Sequence, residues 1–66
     1  MQVQVNGQKE SLENGVSVKR FLISKNINPN RVACELNLKI IRRSQLDDVI
    51  LKEGDQLEII RMMGGG

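Results

Sequence analysis

The strand-like run Gln56 to Met62 constrains the fold more than any other stretch of the sequence. Leu57 and Ile59 fall on one face of an extended chain there, and Ile60 and Met62 fall on the other. A strand that is apolar on both faces belongs in the interior of a sheet. With 66 residues in the chain, one small domain is all that can be built around it. A domain of about 60 residues buries only about 60% of the surface its unfolded chain exposes. So small a core leaves little room for an internal active-site cavity.

The remaining segments supply the neighbours of that strand. Met1, Val3 and Val5 alternate with Gln2 and Gln4, the period of a strand with one buried face. Asn6-Gly7 follows, a pair suited to a type I′ hairpin turn because both central positions need positive φ. The returning strand, Gln8 to Leu12, then sets Glu10 opposite Val3 and Gln8 opposite Val5. Polar groups on the core-side face predict an edge strand, where an inward-pointing charge blocks unwanted pairing.

Glu13-Asn14-Gly15 is a turn, and Ser17 offers an N-cap for a helix from Val18 to about Asn26. Val18, Phe21 and Leu22 give that helix one narrow apolar stripe, and Asn26, Asn28 and Pro29 stop it. Val32, Cys34 and Leu36 alternate with Ala33, Glu35 and Asn37 in another half-buried strand. Asn37-Leu38-Lys39 predicts a turn into a short strand, Ile40 to Arg42. Ser44 to Asp47 suggests a single helical turn before the apolar run Val49-Ile50-Leu51, and Lys52-Glu53-Gly54-Asp55 is another turn. The expected order is ββαβββ, an α+β fold with a lone helix on one face of a mixed sheet.

The body of the chain holds few groups for catalysis. There is no histidine, which removes the usual general base near neutral pH and the commonest metal ligand. The single cysteine, Cys34, has the inward parity of Val32 and Leu36, so it is read as a small core residue. One cysteine makes no intramolecular disulfide, which fits a reducing, cytoplasmic setting. Asp47 and Asp48 are adjacent in a turn and do not face the same way, so a capping or solvated role is expected.

Ten Lys and Arg against eight Asp and Glu leave a net charge of +2, spread along the chain. With Phe21 as the single aromatic residue there is no stacking platform for bases, and nucleic-acid binding is not expected. The first residues show neither a basic region nor an apolar block, so no secretory signal is read there. No apolar stretch approaches the ~18 residues of a membrane span.

What stands out is the end, Arg61-Met62-Met63-Gly64-Gly65-Gly66. The glycines do not lead into a helix, so they are not a phosphate-cradling loop. A carboxylate on a terminal glycine is instead a chemical handle with no side chain around it. Adenylation by ATP would turn its oxygen into a leaving group that a sulfur nucleophile could displace. Only glycine keeps a thread narrow enough, and free enough in φ/ψ, to enter another protein's site.

Taken whole, the chain resembles the ThiS family of thiamine-biosynthesis sulfur carriers. The resemblance rests on "VNG" after the first strand, "RVACELN", "LKEGDQLEIIR" and the terminal "GGG". It implies a β-grasp, ubiquitin-like body over residues 1–63, with the first and last strands parallel and adjacent, and a flexible glycine tail over 64–66. It also implies that Gly66 is adenylated and then converted to a thiocarboxylate, with Gly64 and Gly65 as the thread.

The implied partners are an ATP-using adenylyltransferase of the ThiF kind, a cysteine desulfurase persulfide as sulfur donor, and thiazole synthase of the ThiG kind. The carrier would be a co-substrate, with no bound cofactor and no catalytic residue, and a monomer when free. Parity adds Ile60 and Met62, and beside them Met63, as the expected partner interface. Met62-Met63 departs from the aromatic residue followed by Val or Ala expected before the glycines of many relatives.

Other readings share parts of this pattern. The small subunit of molybdopterin synthase uses the same fold and tail chemistry. Those chains tend to be longer, so the short body and "VNG" favour the thiamine carrier. Carriers of other sulfur pathways have the same tail. A ubiquitin-like protein modifier, or a plain interaction module, is the alternative from a different class.

Overall fold

The Asn6-Gly7 pair turns the chain as its residues predict, with φ of 50° and 82°. The computed structural model describes residues 1–62. β1 (Gln2–Val5) and β2 (Gln8–Ser11) pair antiparallel about this turn, and Val3 does lie opposite Glu10 and Val5 opposite Gln8. Met1 and Leu12 extend the pairing by exchanging hydrogen bonds in both directions, each 2.8 Å. The inward charge on β2 is answered from the helix side, where the Lys25 ammonium lies 2.9 Å from the Glu10 carboxylate.

Helix α1 (Val18–Ser24) is too short to be stable by itself, so its ends and its packing hold it. All four leading N–H groups have acceptors. Val18 and Lys19 donate to the carbonyls of Val49 and Leu46, Arg20 to the Ser17 hydroxyl at 3.1 Å, and Phe21 to the Ser17 carbonyl. At the other end Asn26 takes φ 60° while its N–H bonds the Ile23 carbonyl and that of Ile27 bonds the Leu22 carbonyl. That is a Schellman closure with asparagine in the left-handed position. It ends the helix two residues before the expected Asn26.

A 3₁₀ turn at Pro29–Arg31 leads into β3 (Val32–Leu36), which pairs with β4 (Lys39–Ile41). The turn between them is tighter than expected. Asn37 and Leu38 both have positive φ, 52° and 71°, so a two-residue turn starts β4 at Lys39 rather than Ile40. The helical turn expected over Ser44–Asp47 is a 3₁₀ turn at Arg43–Gln45. It aims Leu46 into the core, and the segment to Leu51 then crosses the start of α1, bridging Ile50 to Ser17.

β5 (Gln56–Arg61) completes a five-stranded sheet of order β2-β1-β5-β3-β4. β5 is central, parallel to β1 and antiparallel to β3. β2 is an edge. This is the β-grasp arrangement, one helix over one face of a mixed sheet.

Val18, Phe21 and Leu22 of α1 pack on Val3, Val32, Cys34 and Leu57 of the sheet, with Leu46 and Leu51 closing one end. Each large side chain fully buried there stabilises the fold by about 1.5–3 kcal/mol. No helix among the described residues is long and apolar enough to cross a membrane.

Candidate functional site

The site begins where β5 leaves the sheet, and three contacts from distant parts of the chain position that end. Asn6, already in the left-handed conformation of its turn, uses both ends of its amide on Ile59. Its Oδ1 accepts from the Ile59 N–H at 2.7 Å and its Nδ2 faces the Ile59 carbonyl at 3.4 Å. The side chain thus continues the β1–β5 ladder past the point where the backbone turns away. Val32 then pairs with Arg61, and the Met62 N–H donates to the Arg31 carbonyl at 2.9 Å. The strand is tethered through its last described residue.

The start of β5 is held as firmly. Gly54 takes φ 83°, and Asp55 closes the Lys52–Asp55 turn by accepting from the Lys52 N–H at 2.8 Å. The other Asp55 oxygen accepts from Asn37 Nδ2 at 3.0 Å, while Asn37 Oδ1 accepts from the Gln56 N–H at 2.9 Å. Those hydrogen bonds give the "LKEGDQ" run its physical sense. Through them Asp55 and Asn37 tie the turn, the β3–β4 hairpin and β5 together.

Parity along β5 is as the sequence implies. Leu57 is buried and Ile59 half-buried against the core, while Ile60 and Met62 are 51% and 48% exposed. Met63, Gly64, Gly65 and Gly66, the other residues expected to meet partners or carry the chemistry, lie outside the described residues. On the helix side a depression of about 270 Å³ opens beside the strand's end, between Asn26, Arg31, Arg61 and Met62. The described residues leave no buried side-chain polar atom without a partner, and no three acidic, Cys or His groups cluster for a metal. Asp47 serves the helix cap, its Oδ1 3.4 Å from the Ser17 hydroxyl that donates to it.

Cys34 is 1% exposed, beside Val32 and Leu57 in the core, and burial pushes its thiol above the ordinary 9.0. A raised pKa means the fold favours the neutral thiol. Its contribution to stability is therefore complete below pH 9.0 and is lost as pH rises past that value, where the unfolded chain ionises first. Cys34→Val is expected to cost less than about 1.5 kcal/mol by urea titration. A much larger loss would mean that the thiol does more in the core than fill volume.

Sequence reasoning found the strand, its parity and the cap. It missed Asn6 as the brace of β5. The available signal was the residue type, since an amide side chain carries a donor and an acceptor that can meet the N–H and C=O of one residue.

A mixed sheet of order β2-β1-β5-β3-β4 with one helix over one face defines a ubiquitin-like fold. The chain belongs to the ThiS family, whose model matches residues 2–66. It is 32% identical over its whole length to part of the thiazole synthase of Magnetococcus marinus, and likewise to that of Paramagnetospirillum magneticum. The chain spans about a fifth of the length of these curated relatives, 20% in each case. The crystal structure of the thiamine biosynthesis protein ThiS from Geobacter metallireducens matches it with a TM-score of 0.86 at 29% identity, over 100% of both chains.

Proposed function

We propose that this chain is the sulfur carrier for the thiazole moiety of thiamine, acting as a co-substrate through Gly66. Residues 1–63 form the recognition body and residues 64–66 the thread that enters a partner's site. The Gly66 carboxylate attacks the α-phosphorus of ATP in an adenylyltransferase, and pyrophosphate leaves. The terminal sulfur of a desulfurase-derived persulfide then attacks the acyl carbon and AMP leaves. A second thiol cleaves the resulting S–S bond, forming a disulfide and freeing the thiocarboxylate, which passes sulfur to thiazole synthase. ATP is consumed by the partner and is not a resident cofactor.

The observation that carries this reading is the build of β5. A central strand leads to Met62, tethered on the Arg31 carbonyl, with Ile60 and Met62 exposed, and in the sequence Met63 and three glycines come next. Ile60, Met62 and Met63 are the partner-facing residues in this reading, and methionine suits a surface that must fit two enzymes in turn. Membership of the family and the likeness to thiazole synthases support the thiazole pathway over the molybdopterin one.

The test is intact-mass analysis of untagged protein purified from its own cells under thiamine starvation. The expected result is a mass increase equal to replacing one oxygen by sulfur, confined to the peptide ending in Gly66. Conjugates to lysines of other proteins that survive denaturant and thiol would make the chain a modifier. An unmodified terminus under starvation would remove the carrier reading.

A further inference from the structure

Two local choices on the outer face of the sheet, away from α1, work against stability. The first is a pair of like charges. Glu35 and Glu58 lie directly opposite each other across β3 and β5, a placement that destabilises a sheet. Their neighbours Cys34 and Leu57 point into the core, so both carboxylates stand on the outer face. Among the described residues the one ion pair joins Lys25 to Glu10, so neither carboxylate has a cation within salt-bridge distance.

The second is Leu38. It occupies the second central position of the β3–β4 turn at φ 71°, where the first hairpin has Gly7 at 82°. A bulky side chain is strained in that region. Leu38 offsets none of the strain by burial, being 87% exposed. It lines a depression of about 80 Å³ together with Glu58. Ile40, 76% exposed, lies opposite Glu35, and Ile60 follows Glu58 on the same face.

Departures from local rules without a structural gain are expected where a surface serves something else. The geometry points to the outer face of β3, β4 and β5 as the docking surface for thiazole synthase, through a guanidinium of that enzyme held between Glu35 and Glu58. Leu38, Ile40 and Ile60 receive apolar side chains around it. This rests on the carrier reading and names the surface that reading uses.

Charge sets the chemistry of the occupant. Carboxylates covered on docking must be neutralised, and a planar guanidinium reaches both with paired hydrogen bonds. A second copy of this chain is a poor occupant, because a twofold contact would press one acidic pair against another. Thiazole synthase is the partner because its relatives hold a segment like this whole chain within 20% of their own length, so the two parts occur in one molecule. The face also runs continuously from Ile60 to Met62, and an enzyme that swallows the terminus must lie over that end.

The experiment is titration of the full chain against thiazole synthase of the same organism by calorimetry, at low and at physiological salt, with melting curves for each variant. Glu35→Gln and Glu58→Gln should each raise the Tm, because the repulsion is relieved. Each should also bind about tenfold more weakly, with a shallower salt dependence. Leu38→Asn relieves the turn and should weaken binding without lowering the Tm. Gln and Asn variants that bind like the parent would overturn the docking surface while the carrier reading stands. A parent chain that does not bind thiazole synthase at all removes both. A lower Tm in the Gln variants would show that the carboxylates hold the fold, and self-association of the parent that strengthens in Glu58→Gln would make a second copy the occupant. Either result overturns the proposal.

Discussion

Deleting Gly66 is expected to abolish adenylation by the cognate activating enzyme and leave the melting temperature where it was. The carboxylate would move to Gly65, one residue short. A single extended residue spans about 3.3–3.6 Å, and misplacing a reacting atom by about 1 Å can cost about 10²-fold in rate. No side chain near the terminus could make up the reach. The fold should not notice, because its core lies between Val3 and Leu57 and its last described tether is the Met62 N–H on the Arg31 carbonyl. ATP–pyrophosphate exchange with the purified activating enzyme measures the first effect and thermal melting the second. Exchange at the parent rate in the truncated chain would end the assignment of Gly66.

Phe21→Ala should nearly unfold the domain. Phe21 is the only aromatic residue, 1% exposed at the centre of the helix–sheet contact. Truncating a buried phenylalanine to alanine costs about 3–5 kcal/mol. At about 0.05–0.15 kcal/mol per residue, a domain this size has roughly 3–10 kcal/mol in all. The ring also lies 5.8 Å beneath the Lys25 ammonium that meets Glu10, so its loss loosens the tie between α1 and the edge strand. Urea titration should show a midpoint near zero denaturant, and adenylation should fall in proportion to the folded fraction. A variant melting within a degree of the parent would mean that the core is not centred on this residue.

These two expectations draw on different kinds of information. The first rests on a proposed role for Gly66, which lies outside the described residues, and the second on the packing of the core. The inward stripe of Val18, Phe21 and Leu22 was legible in the sequence, since helical period alone brings them to one face. In the same way, strand alternation separated Leu57 and Ile59 from Ile60 and Met62 before any fold was known.

Other features depended on which segments meet. Glu35 and Glu58 become neighbours only through the register of β3 on β5, and no pattern within either strand specifies that register. Asn6 braces Ile59 across a separation of 53 residues. The turn expected over Asn37-Leu38-Lys39 closes in two residues because Leu38 takes a φ of 71°, against the preference of its own side chain.

The sequence by itself determined the elements, their buried faces and the central place of the last strand. Each follows from covalent geometry repeating along the chain. Only the tertiary structure decided how the end of β5 is held and which outer-face groups stand together. Those depend on the closure of contacts between distant segments, where backbone register can override what a single residue prefers.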